Sequence, residues 1–212
     1  MKSFIQFIEE KTLASAALAG VIGGVALGLA GNKPQQTEVS TPQINQTTVK
    51  AENKTETPKK PAWHSLISGS EGMKTDAYWD PTGKVWTIGK GSTTHPDGRP
   101  VKQGDVISSG QADEYMQDYV NKKLVPKLQK IPTWNKLNPN QQGALISFGY
   151  NVGPNFYGSK GFESITKCLS CEENLGGVPE ALKKYNKSGG RTLPGLVTRR
   201  EAEGTLWSSP VN

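Results

Sequence analysis

Residues 32–61, NKPQQTEVSTPQINQTTVKAENKTETPKKP, hold no aromatic residue and few aliphatic ones, and are rich in Thr, Gln, Asn, Lys and Pro. Such a stretch cannot bury enough apolar surface to offset the entropy of ordering it, so it reads as a flexible linker. That segment divides the 212-residue chain in three: residues 1–31, the linker 32–61, and a folding unit over 62–212. A flexible chain of the linker's length spans about 30 Å on average and about 100 Å when stretched.

Ahead of the linker, Leu13 to Gly31 is a run of 19 residues without a charge, LASAALAGVIGGVALGLAG. The length suffices for one membrane-spanning helix. Its richness in Ala and Gly makes insertion marginal. Gly20, Gly24 and Gly28 form two consecutive G-x-x-x-G steps on one helix face, which suits close packing against another helix, including self-association. Lys2, Lys11 and the terminal amine precede the run, and only Lys33 follows within fifteen residues. That bias predicts a cytoplasmic N-terminus and an exported C-terminal domain. Ala14-Ser15-Ala16 leaves a cleaved signal peptide as the alternative.

Charge narrows the partners. The formal net charge is +6, with seven Lys against five acidic residues in 1–61 and 18 basic against 14 acidic residues in 62–212. A mildly basic domain suits an anionic polymer or surface, or simply solubility. No basic run with interleaved aromatics occurs in the domain, so nucleic acid is excluded as the expected partner. Cys168 and Cys171 are the two cysteines, and His64 and His95 lie far from them in sequence, so neither a metal site nor a cofactor is expected. The C-x-x-C pair reads equally as two inert thiols or as a small local disulfide.

Within 62–212 the pattern predicts an α+β domain. Residues 76–91 read as a short β-hairpin, with a turn at Asp80-Pro81-Thr82-Gly83 before Val85-Trp86-Thr87-Ile88-Gly89. A helix is expected from Ser108 or Ser109, with Ala112, Tyr115, Met116, Tyr119, Val120 and Leu124 at helical spacing and Pro126 limiting its end. Asn138-Pro139-Asn140-Gln141 carries an N-cap, a Pro at the first helical position and a Gln at the third. It opens a helix ending near Gly153-Pro154. A last helix starts near Pro194 or Gly195 and carries Arg199, Arg200, Glu201 and Leu206.

Chemistry concentrates around the hairpin. Glu71 follows an apolar helical start, Leu66-Ile67, and is expected partly buried at a helix end. Burial disfavours a charged carboxylate, which suits a proton donor, whereas Asp80 at a turn is expected to be more solvated and ionised. One protonated and one ionised carboxyl facing each other can hydrolyse a glycosidic bond. Thr87 adds a hydroxyl that can hold water. By themselves, a Glu and an Asp nine residues apart are usually solvated surface charges.

The stretch Glu71-Gly72, Tyr78, Asp80, Thr87-Ile88-Gly89-Lys90-Gly91 resembles the catalytic signature of the phage-type lysozymes, glycoside hydrolase family 24. Three further blocks are similar to that family in the same order: Lys102 to Ile107 with Gln111-Ala112-Asp113, Leu137 to Phe148 with Asn151-Val152-Gly153, and Arg191 to Glu203. The resemblance covers about residues 65–207 and implies a lysozyme-like fold. It implies a muramidase that cleaves bacterial peptidoglycan between N-acetylmuramic acid and N-acetylglucosamine. In that likeness Glu71 corresponds to the general acid, Asp80 to the second carboxylate and Thr87 to the water-positioning hydroxyl, acting with inversion. Tyr150 and Asn151 correspond to the cleft-facing end of the central helix, although helix-end packing accounts for them equally. Arg191 is the candidate partner of the Glu71 carboxyl.

The chain also departs from that pattern. Six residues, Pro81 to Trp86, separate Asp80 from Thr87 where the family commonly has five. Ser92 stands where the family usually has His, with His95 three residues on, and Cys168 to Cys171 has no counterpart. The N-terminal run resembles the signal-anchor-release segments of some phage endolysins, which implies membrane attachment, a periplasmic domain and a role in host lysis. A virion-associated, wall-opening protein and a catalytically inactive wall-binding module are the alternatives.

Overall fold

The computed structural model describes residues 60–81 and 83–211. The apolar run with Gly20, Gly24 and Gly28, and the linker up to Lys59, lie outside the described residues. Among the described residues no helix is long and apolar enough to cross a membrane.

The first helix, α1, spans Ala62–Ser70 and buries Trp63 and Ile67, four apart on one face. The Glu71 N–H still bonds to the Ile67 carbonyl, but its own ψ of 134° is extended, so Glu71 closes the helix. An antiparallel hairpin follows, β1 Lys74–Asp80 and β2 Val85–Gly89, with Tyr78 opposite Thr87, Trp79 opposite Trp86 and Asp80 opposite Val85. The turn is displaced from the expected place: Asp80 still belongs to the ladder, and Lys84 reaches a φ of 50° before β2.

Helix α2, Ser109–Tyr119, starts with a reciprocal capping box between Ser108 and Gln111. Pro126 does not end this helix, contrary to expectation. The chain passes through a π turn, Val120–Leu124, into α3, Val125–Leu128, where Pro126 falls in the first turn. There a missing N–H is harmless, because first-turn donors have no partner inside their own helix.

The central helix α4, Pro139–Val152, opens with the expected Asn138/Gln141 capping box and Pro at its first position. Every residue from Gly143 to Val152 is buried, so the helix is enclosed on all sides. Gly149 permits that enclosure: a Cβ there would lie 2.9 Å from Leu124 Cδ1. Short helices α5, Glu163–Leu169, and α6, Val178–Lys183, pack on each other. A two-residue ladder that the sequence reading did not foresee, β3 Lys187–Ser188 with β4 Arg191–Thr192, turns on Gly189 and Gly190, both at positive φ. Helix α7, Pro194–Ser208, starts at the expected Pro and lies against α4 and α6.

Burial divides the unit into two apolar clusters. The larger gathers Trp63 and Ile67 of α1 with Met116, Leu124, Leu145, Phe148, Ile165, Leu182 and Trp207. The smaller holds Ile88, Val101, Ile107 and Ala112, with Ala77, Trp86 and Tyr115 against it. The domain is thus mostly helical with a small two-stranded sheet near its start, as the pattern predicts.

Candidate active site

Strand alternation sets one half of the site. Asp80, Tyr78, Val85 and Thr87 share one face of the hairpin, while Trp79 and Trp86 share the other and meet edge to face at 5.7 Å. Asp80 is 3% exposed and Thr87 is fully buried, so the expectation of a solvated Asp80 is corrected: placing it inside the ladder rather than in the turn encloses it.

The other half comes from the end of α1. The Glu71 side chain is 7% exposed, and its Oε1 accepts a hydrogen bond from Arg199 Nη1 at 2.6 Å. The guanidinium on Glu71 therefore belongs to Arg199 and not to Arg191, which lies exposed on β4. Helix α7 carries Arg199 into the interior, whereas the Gly189-Gly190 turn holds Arg191 at the surface.

Tyr78 lies on the Asp80 face of the hairpin, opposite Thr87. Burial first, then the charges of Asp80 and Glu71, push its hydroxyl above the ordinary range. Tyr150 behaves alike: burial first, then the Glu71 charge, push it up. Its hydroxyl donates to the Lys90 carbonyl at 3.1 Å, and its ring meets Tyr119 edge to face at 5.5 Å. Tyr150 also lines a cavity of about 380 Å³ between residues 91–98 and Tyr115, Tyr119, Lys122 and Lys123. Asn151 is buried and accepts from Arg200 Nη2 at 2.8 Å.

A buried network that the sequence reading did not single out supports Glu71. Arg199 Nε donates to Glu203 Oε1 at 3.2 Å and its Nη2 to the Ser147 carbonyl at 3.0 Å. Ser147 Oγ donates to the same Glu203 oxygen at 2.7 Å. Arg200 Nε lies 3.1 Å from Glu203 Oε2, and its guanidinium sits 4.7 Å from the centre of the Phe148 ring. Burial pushes Glu203 up, against the two guanidiniums, and brings Arg200 down to about 10. The available signal was the spacing: Arg199, Arg200 and Glu203 put an ion pair at i,i+4 and another at i,i+3 on one helix.

Cys168 and Cys171 are free, half-buried thiols, and Asn174 Nδ2 donates to Cys171 Sγ at 3.0 Å. Among the described residues no group of three or more His, Cys, Asp or Glu side chains could hold a metal ion.

Residues 68–203 match the family described as Phage lysozyme. The chain is 37% identical over 146 residues to the endolysin of Bacillus phage B103, covering 68% of this chain and 51% of that protein. It is 30% identical over 138 residues to the SAR-endolysin of Bacteriophage PS119, covering 64% of this chain and 74% of that protein. Among solved structures, the endolysin from Escherichia coli O157:H7 phage FAHEc1 matches with a TM-score of 0.56 at 31% identity, over 70% of this chain and 92% of that one. The chain spans about half the length of the Bacillus phage endolysins it matches, 51% and 53%.

Proposed function

We propose, from the premise that this chain belongs to the phage lysozyme family, that residues 62–212 hydrolyse the β-1,4 bond between N-acetylmuramic acid and N-acetylglucosamine in bacterial peptidoglycan. The observation that carries the reading is the enclosure of two carboxyls from different elements: Glu71, paired with Arg199 at the end of α1, and Asp80, buried with Thr87 on one face of the hairpin that follows. Two enclosed carboxyls can divide the work of glycoside hydrolysis. Glu71 gives its proton to the glycosidic oxygen as the bond to C1 breaks. Water held by Asp80 and Thr87 attacks C1 from the opposite face and passes its proton to the Asp80 side, inverting the anomeric centre. Arg199 orients the Glu71 carboxyl through Oε1. Tyr150, at the cavity wall, and the exposed Arg191 are the groups assigned to the glycan. Asn151 acts from inside by holding Arg200.

The domain division follows the sequence reading: a membrane anchor over 1–31, a linker over 32–61 and the enzyme over 62–212. The anchor holds the enzyme on the outer side of the inner membrane of a host cell, and lysis follows its release into the periplasm. The name SAR-endolysin, carried by several relatives of this chain, supports that placement.

Glu71→Gln tests the reaction. Gln keeps an oxygen for Arg199, whose charge Glu203 still meets, but has no proton to deliver, so wall lysis should fall by about 10²–10⁴-fold in a variant that still folds, as a cooperative thermal transition shows. Retention of more than about a tenth of the activity removes Glu71 as the general acid.

A further inference from the structure

The two halves of the candidate site belong to different apolar clusters. Glu71 closes α1, whose Trp63 and Ile67 sit in the larger one. Thr87 and Asp80 lie on the hairpin, whose Ile88 and Trp86 belong to the smaller one. Apolar contact is non-directional, so packing within each cluster does not by itself set Glu71 against Asp80 and Thr87.

A buried ammonium lies between them. Lys90 is 5% exposed and stands between Gly89 at φ 64° and Gly91 at φ 104°. A Cβ on Gly89 would meet Ala112 Cβ and Ile107 Cδ1 at 3.3 Å, so the backbone is pressed onto α2 and the path of the Lys90 side chain is fixed. Its Nζ donates to Ser68 Oγ at 2.6 Å, three residues before Glu71 on α1, and to Asp113 Oδ1 on α2. Its carbonyl accepts the Tyr150 hydroxyl from α4.

The surrounding charges favour this arrangement. Hydrogen bonds from Lys90 and Lys60 bring the Asp113 carboxyl down to about 2, so it stays anionic. His64 Nε2 lies 3.5 Å from Asp113, but burial first, then Lys60, hold this imidazole below its ordinary value. A buried ammonium is tolerated where charge and hydrogen bonds meet it, as they do here.

We propose that Lys90 is a positioning residue for hydrolysis: by tying α1 to the turn after β2, it sets Glu71 against Asp80 and Thr87. This rests on the reading of those three residues as the site. A displacement of about 1 Å between reacting groups can cost about 10²-fold in rate. The effect belongs in kcat rather than KM, because Lys90 acts through Glu71 and Thr87.

The test uses the full chain as Lys90→Met, Lys90→Arg and Ser68→Ala. It reads kcat and KM on soluble peptidoglycan fragments, and amide exchange at residues 67–71 and 87–91. Lys90→Met should lower kcat by about 10–100-fold with KM within about threefold, and should speed exchange at both segments. Lys90→Arg should recover much of both. Ser68→Ala leaves the Lys90–Asp113 pair in place and removes only the tie to α1, so it should lower kcat by about three- to tenfold. If Lys90→Met keeps the parent kcat per folded molecule while its melting temperature drops, Lys90 is only structural and the proposal is overturned. The same holds if Arg gives no rescue. If Glu71→Gln proves as active as the parent, the proposed reaction fails separately. Exchange then decides the tie alone, and unchanged exchange in Lys90→Met overturns it.

Discussion

At the scale of single residues, Arg199 holds three partners at once. Its three guanidinium nitrogens serve Glu71, Glu203 and the Ser147 carbonyl, and its side chain is 3% exposed. Removing one partner from a buried ion pair leaves the others desolvated without compensation. Arg199→Met should therefore cost about 3–5 kcal/mol, measured by urea unfolding. A loss under about 1 kcal/mol would mean that water replaces the guanidinium. Glu71, Asp80 and Thr87 can be singled out in the sequence because they fall within 17 positions of one another in a recognisable pattern. The sequence gives Arg199 no role and offers Arg191 for the Glu71 carboxyl. A partner 128 residues from Glu71 in sequence can be assigned only once α7 is placed against α1. Asp80 is expected to be solvated only if the turn begins one step earlier than it does, and a single step decides between ladder and loop.

At the scale of elements, local rules read well where a side chain serves its own backbone. The Asn138/Gln141 box and Pro194 at the head of α7 both lie where their residue types predict. They fail where the backbone changes its hydrogen-bond step. At Pro126 the preceding π turn shifts the register, and the Val125 N–H reaches the Val120 carbonyl, so the proline finds a position with no donor to lose. The β3–β4 ladder escaped notice because two residues per strand give no periodicity to read. The enlarged β1–β2 turn places Lys84 at φ 50°, the described non-glycine residue with a left-handed backbone. That conformation costs an L-residue about 1–2 kcal/mol, and glycine's extra freedom in the unfolded chain returns about 0.5–1. Lys84→Gly should thus stabilise the domain by about 0.5–1 kcal/mol, seen as a higher unfolding midpoint. A lower midpoint would show that the Lys84 side chain contributes more than its backbone conformation costs.

At the scale of the whole molecule, the membrane reading depends on how weakly residues 13–31 insert. Leu, Ile or Val near a helix centre contributes about 0.3–0.6 kcal/mol, and this run offers only Leu13, Leu18, Val21, Ile22, Val25, Leu27 and Leu29. In cells making the protein, an uncoupler should move the full-length chain from the membrane to the soluble periplasmic fraction. Gly24→Leu with Gly28→Leu should keep it in place, by adding apolar surface and filling the glycine face. Lysis with the chain membrane-bound throughout would replace release by a permanent tether. The folded domain carries a different inequality. Of its two apolar clusters, the one under the hairpin is built, among the described residues, on four buried side chains, and the other on many more. Regions with little buried apolar contact open at lower free energy than the rest of a protein. Heat should therefore disable the jaw that holds Asp80 and Thr87 while the helical bulk still stands. Under the proposed reaction the temperature at which lysis stops and the temperature at which the chain melts are two separate quantities, and mutations that thicken the small cluster should raise the first more than the second.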